Sequence, residues 1–158
     1  MRPVATLFAA ALACLLPRLS TAAESTPLPS PVFDAALAGT LGADEYGMRK
    51  YVLVILKTGS KAMPKGPERD AMFKGHFANM KRLADEGKLA VAGPLDGVDG
   101  WRGLFILAVA DIEEAKKLVA TDPVIANGEM VAEYHTHYGS AALMQVNDVH
   151  ARIARKGF

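Results

Sequence analysis

The sequence predicts an α+β fold with the order β-α-β-β-α-β, and three observations predict it. Four short runs are apolar and rich in strand formers, at 50–59, 88–95, 103–110 and 129–139. Two segments between them, 68–86 and 112–121, carry apolar residues at helical spacing. The runs also stop at strong punctuation: Gly87, Gly93-Pro94 and Asp122-Pro123.

Each element follows from local chemistry. "KYVLVILKTG" is β-branched and apolar throughout, which suits a strand, and "SKAMPKGP" after it is a loop. The first long helix, 68–86, ends at Gly87, because glycine accepts the left-handed conformation that closes a helix. "KLAVAGPL" is a short strand stopped by Gly93-Pro94, and "DGVDGW" is a turn in which Asp96 and Asp99 are turn formers. "GLFILAVA" is the third strand, with Trp101 before it as a lid over a sheet edge. Asp111 and Glu114 form a capping box that opens the second helix. Asp122-Pro123 closes that helix, since the residue before proline disfavours helical geometry. "VIANG" is a short turn, "EMVAEYHTHYG" is the last strand, and the tail from 146 holds a short helix near 148–155.

This order is the split arrangement called ferredoxin-like, in which two helices cover one face of a four-stranded antiparallel sheet. The first and third strands are apolar on both faces, whereas a sheet with one wet face alternates. Something must therefore cover the second face, and the sheet of a second copy is the economical cover. A homodimer is the expected partner state.

The domain occupies 48–145. Before it, residues 1–23 read as a secretory signal: an early Arg2, an apolar run from Val4 to Leu16, and small residues at 21–23. That run is about 13 residues, short of the roughly 20 a membrane span needs. "ALAC" around Cys14 makes a poor lipidation signal. Residues 24–47, rich in Pro, Ala, Ser and Gly, read as a flexible linker with a helical turn near 32–37. Residues 146–158 are a C-terminal tail. Export to the periplasm or beyond is the expectation. Loss of Arg2 and Arg18 leaves 16 basic against 17 acidic residues, and no basic stripe suited to nucleic acid. The only cysteine also departs, which removes thiol nucleophiles, disulfides and cysteine metal sites from the mature chain.

His76 lies among Met72, Phe73, Met80 and Leu83 on the apolar stripe of the first long helix. It is either a core histidine satisfied by one partner or a working imidazole facing a pocket between helix and sheet. Gly75 beside it, costly in mid-helix, points to a close neighbour. A working histidine needs an orienting group. Asp122 is the candidate, and the competing reading makes it the N-cap of the turn after it. His135 and His137 sit two apart on a strand and so share one face with Glu133. They are either strand decoration or weak candidates for a metal site that lacks its third ligand. His150 lies in the tail and is expected to be solvated. No dinucleotide loop, phosphate loop or nucleophile elbow occurs.

"GHFANMKRLADEGKLAVAGPL" followed by "GLFILAVADIEEAKKLVATDPVIANGEMVAEYHTHYGSAAL" closely resembles the YciI-like family, the YCII-related domain, over about residues 49–143. The resemblance implies a ferredoxin-like domain that dimerises as an α+β barrel. It also implies a paired site of the helix histidine and the aspartate of the "DP" element, His76 and Asp122 here. Many family members are similar to "ELHPWYG" at the last strand. His135 fits that pattern, while Thr136 and His137 depart from it. Some members are linked to breakdown of chlorinated aromatic compounds. The expectation is a cofactor-independent enzyme of lyase, isomerase or dehydrochlorinase type acting on a small organic substrate. His76 and Asp122 would be catalytic, and Gly93, Pro94 and His135 would contact the substrate. The alternative is a non-catalytic dimeric module that binds a small molecule or a metal.

Overall fold

The structure, a computed structural model, describes residues 32–156. The signal and lipidation readings at 1–23 lie outside the described residues. The elements run α1 (Ala35–Leu41), β1 (Met48–Thr58), α2 (Pro67–Asp85), β2 (Leu89–Pro94), β3 (Trp101–Leu107), α3 (Ile112–Val119), α4 (Pro123–Ala126), β4 (Met130–Ser140) and α5 (Val146–Ile153). Short 3-10 turns occupy Val98–Gly100 and Ala141–Gln145.

The four strands form one antiparallel sheet in the order β2-β3-β1-β4, compatible with the ferredoxin-like arrangement. Val52, Val54 and Leu56 of β1 pack with Phe105 and Leu107 of β3 beneath Met72 and Leu83 of α2 and Ala115 and Val119 of α3. Each large side chain sealed there contributes about 1.5–3 kcal/mol relative to exposure.

Local signals explain the helix ends. Pro67 and the acidic residues Glu68 and Asp70 open α2, where a missing N–H and negative charge are both favourable. At its end Gly87 (φ 68°) donates to the Ala84 carbonyl and Lys88 donates to that of Leu83, the double bond of a Schellman close. Asp111 caps α3 by accepting from the Glu114 N–H at 2.9 Å. The Glu114 carboxylate reaches Ala110 N–H and the Lys88 ammonium instead of closing the box on Asp111. Asp96 accepts from Val98 N–H, and Asp99 adopts φ 54°, so both serve the turn.

Four details depart from the sequence reading. The third strand starts at Trp101, which pairs opposite Lys57 in an inner strand and is 42% exposed, and it ends at Leu107. The last strand begins at Met130; the Glu129 carbonyl still accepts from Gly59 N–H at 2.9 Å, and its side chain enters a buried ion pair. Part of the expected linker is folded: α1 is capped by Asp34, Arg49 donates to the Leu41 carbonyl, and Tyr138 donates to Asp44. That hydrogen bond holds the Asp44 carboxyl below the usual carboxylate range and pushes the Tyr138 phenol up.

The fourth concerns the second face of the sheet. The sequence reading gives its cover to another copy, but the chain covers one end itself. Leu143 and Met144 pack against Tyr51, Ala90 and Ala108, and Asn147 donates to the Leu89 carbonyl at 2.7 Å. The remainder of that face, with Leu53, Leu104 and Val131, stays partly or largely exposed.

Candidate active site

The helix face of the sheet brings His76 and Asp122 together. His76 Nδ1 lies 2.8 Å from Asp122 Oδ2 across 46 residues of chain. Asp122 is fully buried, and its carboxylate is surrounded by donors. Oδ1 accepts from Val124 N–H at 3.1 Å, and Oδ2 also takes a long 3.4 Å contact from the Asn79 amide. Asp122 therefore caps α4 with one oxygen and meets His76 with the other. A carboxylate facing donors only accepts, so Nδ1 carries the proton and Nε2 is the open nitrogen of neutral His76. Nε2 has no protein partner and is not sealed, because no sealed side-chain nitrogen or oxygen among the described residues lacks one.

The approach of α4 to α2 depends on Gly75. A β-carbon there would lie 3.0 Å from Pro123 Cγ, so the glycine admits the proline next to Asp122. In an open helix, alanine at such a position gains about 1 kcal/mol over glycine. Gly75→Ala is expected to lose that gain, giving neutral or lower stability in urea unfolding and displaced His76 ring signals in NMR.

Three aromatic rings surround the imidazole. Phe105 stacks on it at 6.1 Å, Phe73 meets it edge-on at 6.1 Å, and Phe77 lies at 5.4 Å, leaving His76 8% exposed. Phe77 itself is 46% exposed, so an aromatic surface continues from the imidazole to solvent. Two cavities form elsewhere. One of about 760 Å³ is lined by residues 50–52 of β1, 110–113 at the start of α3 and 136–138 of β4. One of about 340 Å³ runs along α5.

The other expected site residues are dispersed. Gly93 and Pro94 end β2 opposite Leu104 and Gly103. His135 pairs opposite Leu53 and so lies on the second face of the sheet, away from His76. There it meets Glu133 at 2.8 Å, and Glu133 also takes Lys57 at 3.2 Å. Those two hydrogen bonds, Lys57 first, hold the Glu133 carboxyl below its usual value. His137 stands 6.2 Å from the Tyr51 ring. No group of three or more metal-ligating side chains forms among the described residues, so His135 and His137 acquire no third ligand. His150 is exposed on α5.

Three side chains escaped the sequence reading. Asn79, one turn after His76, accepts from Arg82 at 2.8 Å and Thr121 at 3.0 Å while touching Asp122. Helical spacing from His76 would have found it. Glu129 and Arg69 form a buried pair at 2.6 Å, with Met63 N–H on the second carboxylate oxygen at 2.7 Å. The Arg69 hydrogen bond and then that of Met63 hold the Glu129 carboxyl below its usual value.

Fold and site together define a class: a single α+β domain with two helices over an antiparallel sheet and a buried His–Asp pair between them. The model of the YCII-related domain matches residues 50–136, and the chain belongs to that family. No curated protein matches the chain.

Proposed function

We propose that this protein is a small acid–base enzyme of lyase, isomerase or dehydrochlorinase type that needs no cofactor. His76 Nε2 moves a proton on a cyclic or aromatic substrate, and Asp122 holds the imidazole in one tautomer and stabilises the imidazolium. The observation that carries this reading is the buried 2.8 Å contact at Nδ1 combined with a partner-free Nε2. The aromatic surround of Phe73, Phe77 and Phe105 suits a flat apolar substrate and strengthens electrostatics at the imidazole by excluding water. Proton transfer of this kind contributes about 10²–10⁴-fold, enough for an acidic carbon beside a carbonyl. The test is deuterium exchange into a panel of cyclic carbon acids. Wild type is expected to accelerate exchange, and His76→Ala to lose about 10²–10⁴-fold of it. Undiminished exchange in the variant contradicts the mechanism.

The working form is a homodimer in this reading, with the exposed part of the second sheet face packed on its copy. Leu53, half-buried in the central strand of that face, supports it. Wild type is expected to sediment as a dimer and Leu53→Lys as a folded monomer. A monomeric wild type refutes the assembly. Residues 1–23 support export, with the periplasm or the exterior as the place of action. Among the described residues no helix is long and apolar enough to cross a membrane.

A second reading, a non-catalytic binding module, is favoured by the cavity of about 760 Å³ beside His137 and Tyr138, a size that suits a small organic ligand. Saturable binding without turnover would select it.

A further inference from the structure

Two folded segments lie outside the residues matched to the family, 50–136, and proton transfer makes no use of either. One is α1 with the turn after it, and the other is α5. Both are anchored to the domain. Arg49 holds the end of α1 through the Leu41 carbonyl at 2.8 Å, and Tyr138 donates to Asp44. Asn147 holds α5 through the Leu89 carbonyl at 2.7 Å. Yet neither helix buries a single residue. Phe33, just before the cap of α1, is 78% exposed, and Leu37, four residues on, is exposed with it. On α5, Val146, Val149 and Ile153 recur at i, i+3 and i+7 and form an apolar stripe that faces solvent, with Ile153 73% exposed. A groove of about 340 Å³ runs along that stripe.

The two surfaces carry opposite charge. Residues 33–47 hold Asp34, Asp44 and Glu45 and no lysine or arginine, whereas 146–156 hold Arg152, Arg155 and Lys156 against Asp148. None of those three cations makes a hydrogen bond or ion pair among the described residues. A two-fold contact that set either surface on its own copy would bring like charges together, which is costly. Setting α1 against α5 brings acid to base and apolar to apolar. Both segments also flank the same end of the second sheet face. Arg49, which holds α1, lies over the Tyr51 ring at 5.3 Å, and the turn leading into α5 packs there through Leu143 and Met144.

We propose that α1 of one copy docks on α5 of a second copy, and that the two-fold dimer makes this contact twice. Phe33 and Leu37 enter the groove along α5 of the partner, and the acids around α1 meet the cations of its tail. This rests on the homodimer reading and adds to it the helix exchange that fixes one copy on the other.

The test is an isotope-filtered NMR experiment on the full-length chain. A ¹³C-labelled copy is mixed with an unlabelled one, so that only contacts between copies are read. Contacts from the Phe33 ring to the Val149 and Ile153 methyls are expected. Sedimentation at low salt is the second readout. The triple variant Arg152→Glu, Arg155→Glu, Lys156→Glu is expected to dimerise about tenfold or more weakly than wild type. A dimer whose contacts between copies come from Leu53 and Leu104 and not from Phe33 overturns the exchange and leaves the sheet-face reading standing. A triple variant that dimerises as wild type does overturns it in the same way. So do α5 methyls that respond to added phosphatidylglycerol bicelles and not to a second copy, which would make a lipid surface the occupant. A chain that stays monomeric takes both readings down.

Discussion

Asp122→Ala is expected to lower the unfolding free energy by about 2–4 kcal/mol and to abolish proton-transfer activity. Two losses combine. The alanine removes the acceptor for Val124 N–H, a capping contact whose loss typically costs about 0.5–2 kcal/mol. It also strands His76 Nδ1 in a site where the ring is 8% exposed, and an unsatisfied buried donor costs about 1–3 kcal/mol. Asp122→Asn separates structure from chemistry. Asparagine caps helices as well as aspartate does, so the stability loss should fall to about 1 kcal/mol. Its amide can present an N–H to the imidazole, which favours the opposite tautomer and withdraws the charge that stabilises an imidazolium. Activity should still fall about 10²–10⁴-fold. Urea midpoints and exchange rates of the two variants check this. Equal activity in Asp122→Asn and wild type contradicts the dyad.

The second large effect is expected at Glu129. Glu129→Ala leaves Arg69 Nε and Nη2 without the carboxylate oxygen they share and Met63 N–H without an acceptor. Breaking a fully sealed pair costs about 3–5 kcal/mol; Arg69 keeps a quarter of its surface, so about 2–4 kcal/mol is expected here. The effect depends on pH with a defined sign. The Glu129 carboxyl is held below its ordinary value of 4.5, so the unfolded chain binds its proton at a higher pH than the folded chain does. Its contribution is complete above about 4.5 and is lost as pH falls through the folded value. The stability gap between wild type and Glu129→Gln should therefore be largest near neutrality and shrink in acid. Denaturant melts at neutral and acidic pH measure it, and a gap independent of pH contradicts the assignment.

The fold was largely legible because its signals are local. Val52, Val54 and Leu56 declare a strand by themselves, Gly87 declares a helix end, and Asp111 declares a cap. Spacing alone made His76 and Asp122 legible as two candidates, since it points His76 inward but does not measure its distance to Asp122, and the family resemblance was what paired them. Gly75 was the sequence's hint of that approach, and Pro123 is the neighbour it admits. Illegible features were those set by tertiary contacts. Glu129 reads as an ordinary first strand residue, and nothing local announces its burial against Arg69, 60 residues earlier. His135 reads as a companion of His76 in the family pattern, yet strand alternation sends it to the other face of the sheet. The C-terminal segment gave no sign of covering Tyr51, because Leu143 and Met144 show no period in so short a stretch.

The central claim is that Asp122 fixes the proton of His76 on Nδ1 and leaves Nε2 free to act. The most direct measurement is the tautomer of neutral His76, read from long-range ¹H–¹⁵N NMR correlations in wild type and in Asp122→Asn. The account predicts a protonated Nδ1 and a bare Nε2 in wild type, and a shift towards the opposite tautomer in the variant. A proton on Nε2 in wild type, or the same tautomer in both proteins, would contradict it.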